Sequence, residues 1–226
     1  MSFEISTLFS DPQAFRLFST IVQALGIVVA FMISYLGFKA YKLTNDRKYK
    51  YFFYGFLFLS LSFLANVILN ILLRLGYAKY FVEKRYTPYI APMFGIYYFF
   101  LIAVMLAYVS LAIVYSDIKK PNKIWLFYFW TFIVGVYTFR DYLLFNMFSA
   151  LLLSFVVLFT FEKYRESRKK NQLAIFLAFL SLFLFHFLVI IEKYATIILP
   201  IRYIILLAGL VLLLVTLLKI HGRKKK

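Results

Sequence analysis

The sequence predicts an all-α integral membrane protein with seven transmembrane helices. Hydrophobic residues make up 64% of its 226 residues, against roughly 45–50% in an ordinary soluble domain, and the mean hydropathy is +0.86. Apolar runs of about 20 residues recur along the chain, and a helix of that length crosses a hydrocarbon layer of roughly 30 Å. Because lipid offers the backbone no hydrogen bonds, each run is expected to be helical.

Seven apolar segments can be drawn, separated by charged or proline-containing links. The N-terminal stretch lacks the basic start and small-residue cleavage site of a removable signal peptide, so the first segment is expected to be a retained helix. Little chain remains between the segments, and residues 1–226 are expected to form a single polytopic membrane domain. The predicted helices cover 17–38, 51–73, 92–115, 124–139, 142–161, 172–191 and 201–219.

The first four segments end at charged or proline-containing links. Lys39 begins the basic link that closes the first segment, and the second lies between Lys50 and Arg74. Pro92 opens the third segment, and proline suits a first helical turn because the N–H it lacks has no partner there. The fourth segment lies between the basic link 116–123 and the charged pair Arg140 and Asp141. Each segment is therefore bounded by residues that avoid hydrocarbon or begin helices.

The last three segments follow the same pattern. Asp141 precedes the fifth segment, and a basic link at 162–172 separates it from the sixth. Pro200 stands at the start of the seventh segment, which ends where Lys219 begins a basic tail. These boundaries complete a chain that crosses the membrane an odd number of times.

Lys and Arg are concentrated in alternate links. Eighteen of the 26 lie in the links 39–50, 116–123, 162–172 and 219–226, and eight lie on the other side. Cytoplasmic links of membrane proteins carry such an excess, so the N-terminus is expected outside and the C-terminus inside a cell membrane. The same links would attract anionic lipids of the inner leaflet, at about 1 kcal/mol per charge.

Few reactive residues are available for chemistry. The chain has no Cys and only two His, His186 and His221, which excludes thiolate metal sites, disulfides and Cys nucleophiles. One membrane His cannot form a three-His zinc site, and no Gly-x-Ser-x-Gly, His-Glu-x-x-His or P-loop motif occurs. The net charge of +17 is explained by links beside the membrane. We therefore expect no enzyme activity, cofactor, metal or nucleic-acid partner.

A weak internal repeat relates the two ends of the chain. FKAYK at 38–42 and FEKYR at 161–165 each close a segment, and they lead to FLSLSFLAN at 58–66 and FLSLFLFHF at 179–187. The helices then divide as three, one and three, with two parallel triplets and the fourth helix as a linker. Chance similarity between helices rich in Phe and Leu is the alternative explanation.

This layout resembles the seven-helix membrane regions of prokaryotic sensors, and it is also similar to the SWEET sugar transporters. The resemblance is one of topology over the whole chain. It implies a receptor-like bundle in the first case and a transporter built from two triplets in the second. SWEET-type halves carry a proline-hinged helix in each triplet, whereas no proline lies in the middle of any segment here.

The stretch ANVILNILLR at 65–74 places polar side chains at four-residue intervals in an apolar segment. Asn66, Asn70 and Arg74 therefore share one helix face, and such groups are costly in hydrocarbon unless they face protein or water. The stripe is expected to face the bundle interior. One interpretation is that the amides join neighbouring helices, at about 0.6 to 2 kcal/mol each, while Arg74 reaches the headgroups.

A sharper interpretation is a polar cavity that opens to the outside. The predicted orientation puts most strong polar groups near the outer leaflet, and the inner half offers mainly Ser34, Ser154, Tyr108 and Thr216. A lone His on an apolar helix is more often a hydrogen-bonded packing residue than a ligand. The predicted ligand-binding residues are Gln23, Asn66, Asn70, Arg74, Asn146 and His186, with Arg140, Asp141 and Glu192 at the mouth.

Three functional hypotheses follow. We favour a sensor or receptor-like module, or the membrane subunit of a sensory complex, because an external cavity above an apolar inner half can hold a ligand but offers no route through. A cytoplasmic signalling partner would then contact the basic links. The alternatives are a transporter of a small solute or lipid, built on the three-one-three repeat, and a structural subunit whose polar stripe binds helices of a membrane protein partner.

Overall fold

The computed structural model describes residues 12–77, 90–116, 121–138, 141–192 and 198–223. All regular secondary structure in these residues is helical. Each predicted segment corresponds to one helix, and a π-helical turn, Leu73–Tyr77, prolongs the second. The helices are α1 (Pro12–Thr44), α2 (Arg47–Leu72), α3 (Ile90–Tyr115), α4 (Pro121–Thr138), α5 (Tyr142–Ser167), α6 (Lys170–Glu192) and α7 (Ile198–Arg223).

Six of these helices are long and apolar enough to cross a membrane. They are α1, α2, α3, α5, α6 and α7, whereas α4, with 18 residues, is not among them. By length and composition the chain is a multi-pass helical membrane protein, and the helices confirm the predicted all-α fold of the described residues.

Several helices extend further into the basic links than the apolar pattern predicts. Only two residues separate α1 from α2, and two separate α5 from α6. Asn45 and Arg168 end the preceding helices in the left-handed conformation, with φ of 52° and 53°, and Asp46 caps α2 by accepting a hydrogen bond from the Lys48 N–H at 2.9 Å. Much of the positive charge therefore lies on helix ends.

Six helices form a closed ring in the described part of the chain. Its order is α1, α2, α3, α5, α6 and α7, and α7 packs back against α1. The remaining helix, α4, lies outside the ring against α3 and, less extensively, against α5. Its buried residues form one narrow stripe, Ile124, Thr131, Gly135 and Thr138. Most of α4 therefore faces outward, including Trp125 at 75% exposure.

The centre of the ring is apolar and aromatic. Phe56 of α2 and Phe179 of α6 are both fully buried, and their ring centroids lie 6.5 Å apart. Two glycines allow neighbouring helices to approach closely: a Cβ on Gly55 would lie 2.9 Å from Leu111, and a Cβ on Gly209 would lie 2.5 Å from the Ser181 Cβ. Consecutive helices of the ring are thus packed too closely for larger side chains at these positions.

Gly209→Ala is expected to lower the melting temperature of the protein in nanodiscs. The added Cβ would overlap Ser181 and approach the Ala178 carbonyl oxygen at 3.1 Å, and overpacking typically costs about 1–3 kcal/mol. Gly95→Ala is the control, because no atom lies within 4 Å of its added Cβ. Equal melting temperatures for the two variants would contradict the close approach of α6 and α7.

Candidate functional site

Six buried polar side chains connect five helices of the ring. None of them is more than 7% exposed. They form the polar belt, which lies nearer the upper end of the ring, the end at which α1 begins. The belt consists of Gln23 of α1, Tyr108 of α3, Asn146 of α5, His186 of α6, and Arg202 and Tyr203 of α7.

A continuous hydrogen-bonded chain forms one half of the belt. Asn146 Nδ2 donates to the Tyr142 carbonyl oxygen at 2.7 Å, so its Oδ1 is left to accept from His186 Nδ1, at 2.8 Å. That tautomer leaves His186 Nε2 as an acceptor for the Tyr108 hydroxyl, at 2.6 Å. The partners thus indicate a neutral imidazole with both nitrogens hydrogen-bonded.

Tyr108 joins this chain although its predicted depth is in the inner half of the membrane. Side chains on a helix lean toward its N-terminus, and α3 and α6 run in opposite directions. The Tyr108 side chain therefore rises while the His186 side chain descends, and they meet between the two backbones. No sequence signal distinguishes Tyr108 from the other tyrosines, of which the chain has 19 in all.

The other half of the belt is aromatic and cationic. Gln23 Nε2 donates a long hydrogen bond of 3.5 Å to Tyr203 Oη. The Arg202 guanidinium lies 5.2 Å from the Tyr203 ring centroid and 5.4 Å from that of Phe185, distances typical of cation–π contacts. The Phe185 ring in turn contacts His186, with centroids 5.0 Å apart. One side chain, Phe185, therefore joins the two halves.

Gln23 Oε1 and Ser149 Oγ are buried polar atoms that have no hydrogen-bond partner within the described residues. An unsatisfied buried acceptor costs about 1–3 kcal/mol, so such atoms usually bind water or a ligand. Gln23 is thus a point in the belt where a hydrogen-bond donor from outside the chain would be stabilising.

The predicted polar stripe on α2, which consists of Asn66, Asn70 and Arg74, is not part of the polar belt. Asn66 and Asn70 are half-buried on the helix face that carries the buried Leu59, and no hydrogen bond joins them to the belt in the part of the chain that is described. Arg74 is exposed, so the interior position expected for it is not found. It lies in the π-helical turn, whose wider spacing shifts residues around the helix axis.

Of the three residues predicted for the mouth of the cavity, Asp141 is the one whose side chain the structure describes. Asp141 is exposed and caps α5, since its carboxylate accepts hydrogen bonds from the N–H groups of Leu143 at 2.8 Å and Leu144 at 3.4 Å. Arg140 lies outside the described residues, and so does the side chain of Glu192 at the end of α6. The structure therefore brings together Gln23, Asn146 and His186 from the predicted set.

A small cavity among the described residues is not lined by the polar belt. It lies between α3 and α4 and has a volume of about 10 Å³, close to the minimum for one water molecule. No group of three or more His, Cys, Asp or Glu side chains suitable for a metal occurs among the described residues. The residues that line the cavity are Ile102, Met105, Leu106, Thr131, Phe132 and Gly135.

Arg202 and Tyr203 are belt residues that the sequence analysis did not select. Arg202 is one of the eight Lys and Arg residues on the predicted outer side. Their position in the sequence could have identified them, because the IRY triplet directly follows Pro200. Its polar side chains therefore lie within the first turns of α7. A cation so close to a helix start can be buried when aromatic rings cover it.

The fold and the polar belt define a multi-pass helical membrane protein with a buried hydrogen-bonded cluster. The chain is similar over residues 19–84 to the Family of unknown function (DUF7521). That match covers most of α1, all of α2 and the π-helical turn, and less than half of the 226 residues. No curated protein and no solved structure matches the chain significantly.

A double-mutant cycle on Tyr108→Phe and His186→Leu is expected to show a coupling energy of about 0.6–1.7 kcal/mol, the range measured for hydrogen bonds within membranes. Each substitution leaves a buried partner without its hydrogen bond, so each alone should destabilise the protein. Unfolding in mixed micelles measures the effect. Tyr35→Phe, on a side chain 58% exposed, should change nothing, and strictly additive effects of the first two would contradict the bond.

Proposed function

We propose that the chain is the receptor-like membrane subunit of a sensory complex and holds a small polar ligand at the upper end of the ring. The observation that carries this proposal is Gln23 Oε1, which is buried without a hydrogen-bond partner among the described residues. A hydroxyl or ammonium group of a ligand would satisfy it. Arg202 and Tyr203 lie on the helix that contacts Gln23, which favours a ligand that also carries negative charge.

The proposed orientation puts the upper end outside the cell. Eighteen Lys and Arg residues belong to the lower links and eight to the upper ones, as the positive-inside rule requires of an external N-terminus. The polar belt would then be reached from outside, and the apolar core below it, centred on Phe56 and Phe179, would block passage. This arrangement supports a receptor more than a transporter.

Seven membrane crossings are proposed, with α4 as the fourth. Ser110 Oγ of α3 lies 2.8 Å from Tyr128 Oη of α4, and Met105, further up α3, contacts Gly135, further along α4. The two helices therefore run antiparallel at the same depth, which supports a full crossing. An odd number of crossings also agrees with opposite locations for the two termini.

A three-one-three internal repeat is proposed with a constant register of 123 residues for the first two helices of each triplet. The left-handed residues Asn45 and Arg168 are 123 apart, as are the belt residues Gln23 and Asn146 and the central pair Phe56 and Phe179. Phe179 thus aligns with Phe56, whereas the FLSL similarity predicts that it aligns with Phe58. Further buried pairs at this spacing are Val22 and Phe145, Ala30 and Leu153, Ile33 and Val156, and Leu59 and Leu182.

The cytoplasmic face is proposed to bind anionic lipids and an acidic signalling partner. Basic side chains such as Lys48, Arg165 and Lys170 are exposed at the lower helix ends. Lys42 and Lys163 lie over the rings of Phe38 and Tyr115, at 4.9 and 5.3 Å from the centroids. These contacts hold the cations at the depth of the headgroups, where negative surface potential is strongest.

A structural membrane subunit is the second candidate function. It is favoured by the chain from Tyr108 through His186 to Asn146, in which both imidazole nitrogens are hydrogen-bonded within the protein. Such a chain needs no ligand and joins three helices. In this candidate the polar belt stabilises the ring, and the biological role lies in assembly with another membrane protein.

A reporter fused after Lys226 is expected to be active only if it functions in the cytoplasm. A C-terminal fluorescent protein should therefore give a signal, and a C-terminal alkaline phosphatase should not. The physical reason is the excess of Lys and Arg in the lower links. Phosphatase activity from the C-terminal fusion would reverse the orientation and place the polar belt toward the cytoplasm.

Gln23→Leu is expected to abolish stabilisation of the protein by a small carboxylate that also bears a hydroxyl or ammonium donor group. Glycolate and glycine are suitable probes, and a ligand at 100 times its Kd stabilises by about 2.7 kcal/mol. The melting temperature of the full chain in nanodiscs measures the effect. Ser19→Ala is the matched control, since Ser19 is buried one turn away and bonds the Arg16 carbonyl oxygen of its own helix.

The Ser19→Ala variant should keep the full ligand response of the unchanged protein. An equal response in Gln23→Leu would contradict the proposed site, and so would the absence of any response to both probes in the unchanged protein. Saturable uptake of either probe into proteoliposomes that contain this chain alone would contradict the receptor and favour the transporter.

A further inference from the structure

We propose that one outward face of α7 is the docking site for a single transmembrane helix of a partner protein. The face, called the α7 stripe, consists of Ile204, Ala208, Val211 and Val215, and all four side chains are exposed. This inference rests on the proposed role as a membrane subunit of a complex, and it names where the partner binds.

The stripe corresponds to a surface that is already covered elsewhere in the same chain. In the first triplet, α3 packs against α4 through Ile102, Met105 and Leu106, which face Thr131 and Gly135. In the ring, α3 lies between α2 and α5, and α7 lies between α6 and α1. A two-fold rotation that exchanges the two triplets would therefore place α7 on α3. The same rotation would move the position of α4, beside α3 and α5, to a position beside α7 and α1.

The close contacts of the two triplets give the register between α3 and α7. Gly55 approaches Ala107 and Leu111 of α3, and Ala178, the residue 123 positions after Gly55, approaches Gly209 of α7. Aligning Ala107 with Gly209 sets a spacing of 102 residues. At that spacing the residues equivalent to the α7 stripe are Ile102, Leu106, Val109 and Ile113 of α3.

The four residues of the α7 stripe are more exposed than their four equivalents on α3. This difference is expected if α3 is covered by α4 and α7 lacks a corresponding helix. On α3, Val109 and Ile113 are buried, at 0% and 4% exposure, whereas Ile204 is 56% and Val211 is 42% exposed on α7. Both sets are aliphatic and recur at intervals of four, three and four residues, which keeps them on one helix face. The α7 stripe thus has the residue type and spacing of the α3 face against which α4 packs, but it is not covered by the described part of the chain.

The occupant is assigned to another polypeptide because α4 cannot reach the stripe. It packs along its length on α3 and lies beside α5, on the opposite edge of the ring from α7 and α1. The partner helix is expected to resemble α4, with one face of small and medium residues such as Thr131 and Gly135. Ala208 at the middle of the stripe lets such a face approach closely.

Site-specific photo-crosslinking of the full chain in its native membranes tests the proposal. A benzophenone amino acid at Val211 is expected to crosslink in high yield to one polypeptide, at a peptide within an apolar helical segment. The same amino acid at Leu158, which is 60% exposed on α5, should give only lipid adducts. Ala208→Phe should reduce the Val211 crosslink at least tenfold, and Leu151→Phe, on an exposed α5 position, should not.

Each other outcome overturns the assignment. Lipid adducts alone at Val211 would show that lipid covers the stripe, and crosslinks to a second copy of this chain would show an interface between identical subunits. The crosslink is measured without added ligand, so it does not depend on Gln23. A protein that loses the ligand response but keeps the crosslink would contradict the proposed ligand site and leave the docking site intact.

Discussion

The hydrogen bonds of the polar belt are the constraint on which the rest of the ring depends. A polar side chain within hydrocarbon must find its partner inside the protein, and here the partners come from different helices: Tyr108 on α3, His186 on α6 and Asn146 on α5. The bond lengths require these helices to keep one rotation and one depth. An apolar interface alone tolerates rotation and sliding, so the belt fixes which residues meet at the centre.

Below the belt the ring is held by shape. Close approaches at Gly55 and Gly209 bring neighbouring helices together, and the tilted rings of Phe56 and Phe179 fill the space at the centre of the ring. In lipid, packing contacts of this kind replace the hydrophobic effect as the force between helices. Hydrogen bonds therefore stabilise the ring near its upper end, and close packing stabilises it below the polar belt.

Sequence alone predicts the helices well and identifies part of the polar belt. Runs of apolar residues locate all seven helices, and rarity of polar groups within them identifies Gln23, Asn146 and His186, which belong to the belt. Tyr108 and Arg202 are missed because tyrosine is common in this chain and helix ends commonly carry arginine. In the proposed register of 123 residues, the FLSL similarity misplaces α6 against α2 by two residues, since Phe and Leu recur too often for identity to determine which residues correspond.

The two-residue turns have a consequence for how the chain enters the bilayer. Asn45 and Arg168 reverse the chain so tightly that the ends of the joined helices cannot separate, and α1 with α2, or α5 with α6, must partition into lipid as a hairpin. We therefore expect insertion to proceed by two hairpins, with α3 and α4 added between them and α7 after them. The stretch of residues 19–84 that is similar to DUF7521 contains most of the first such pair.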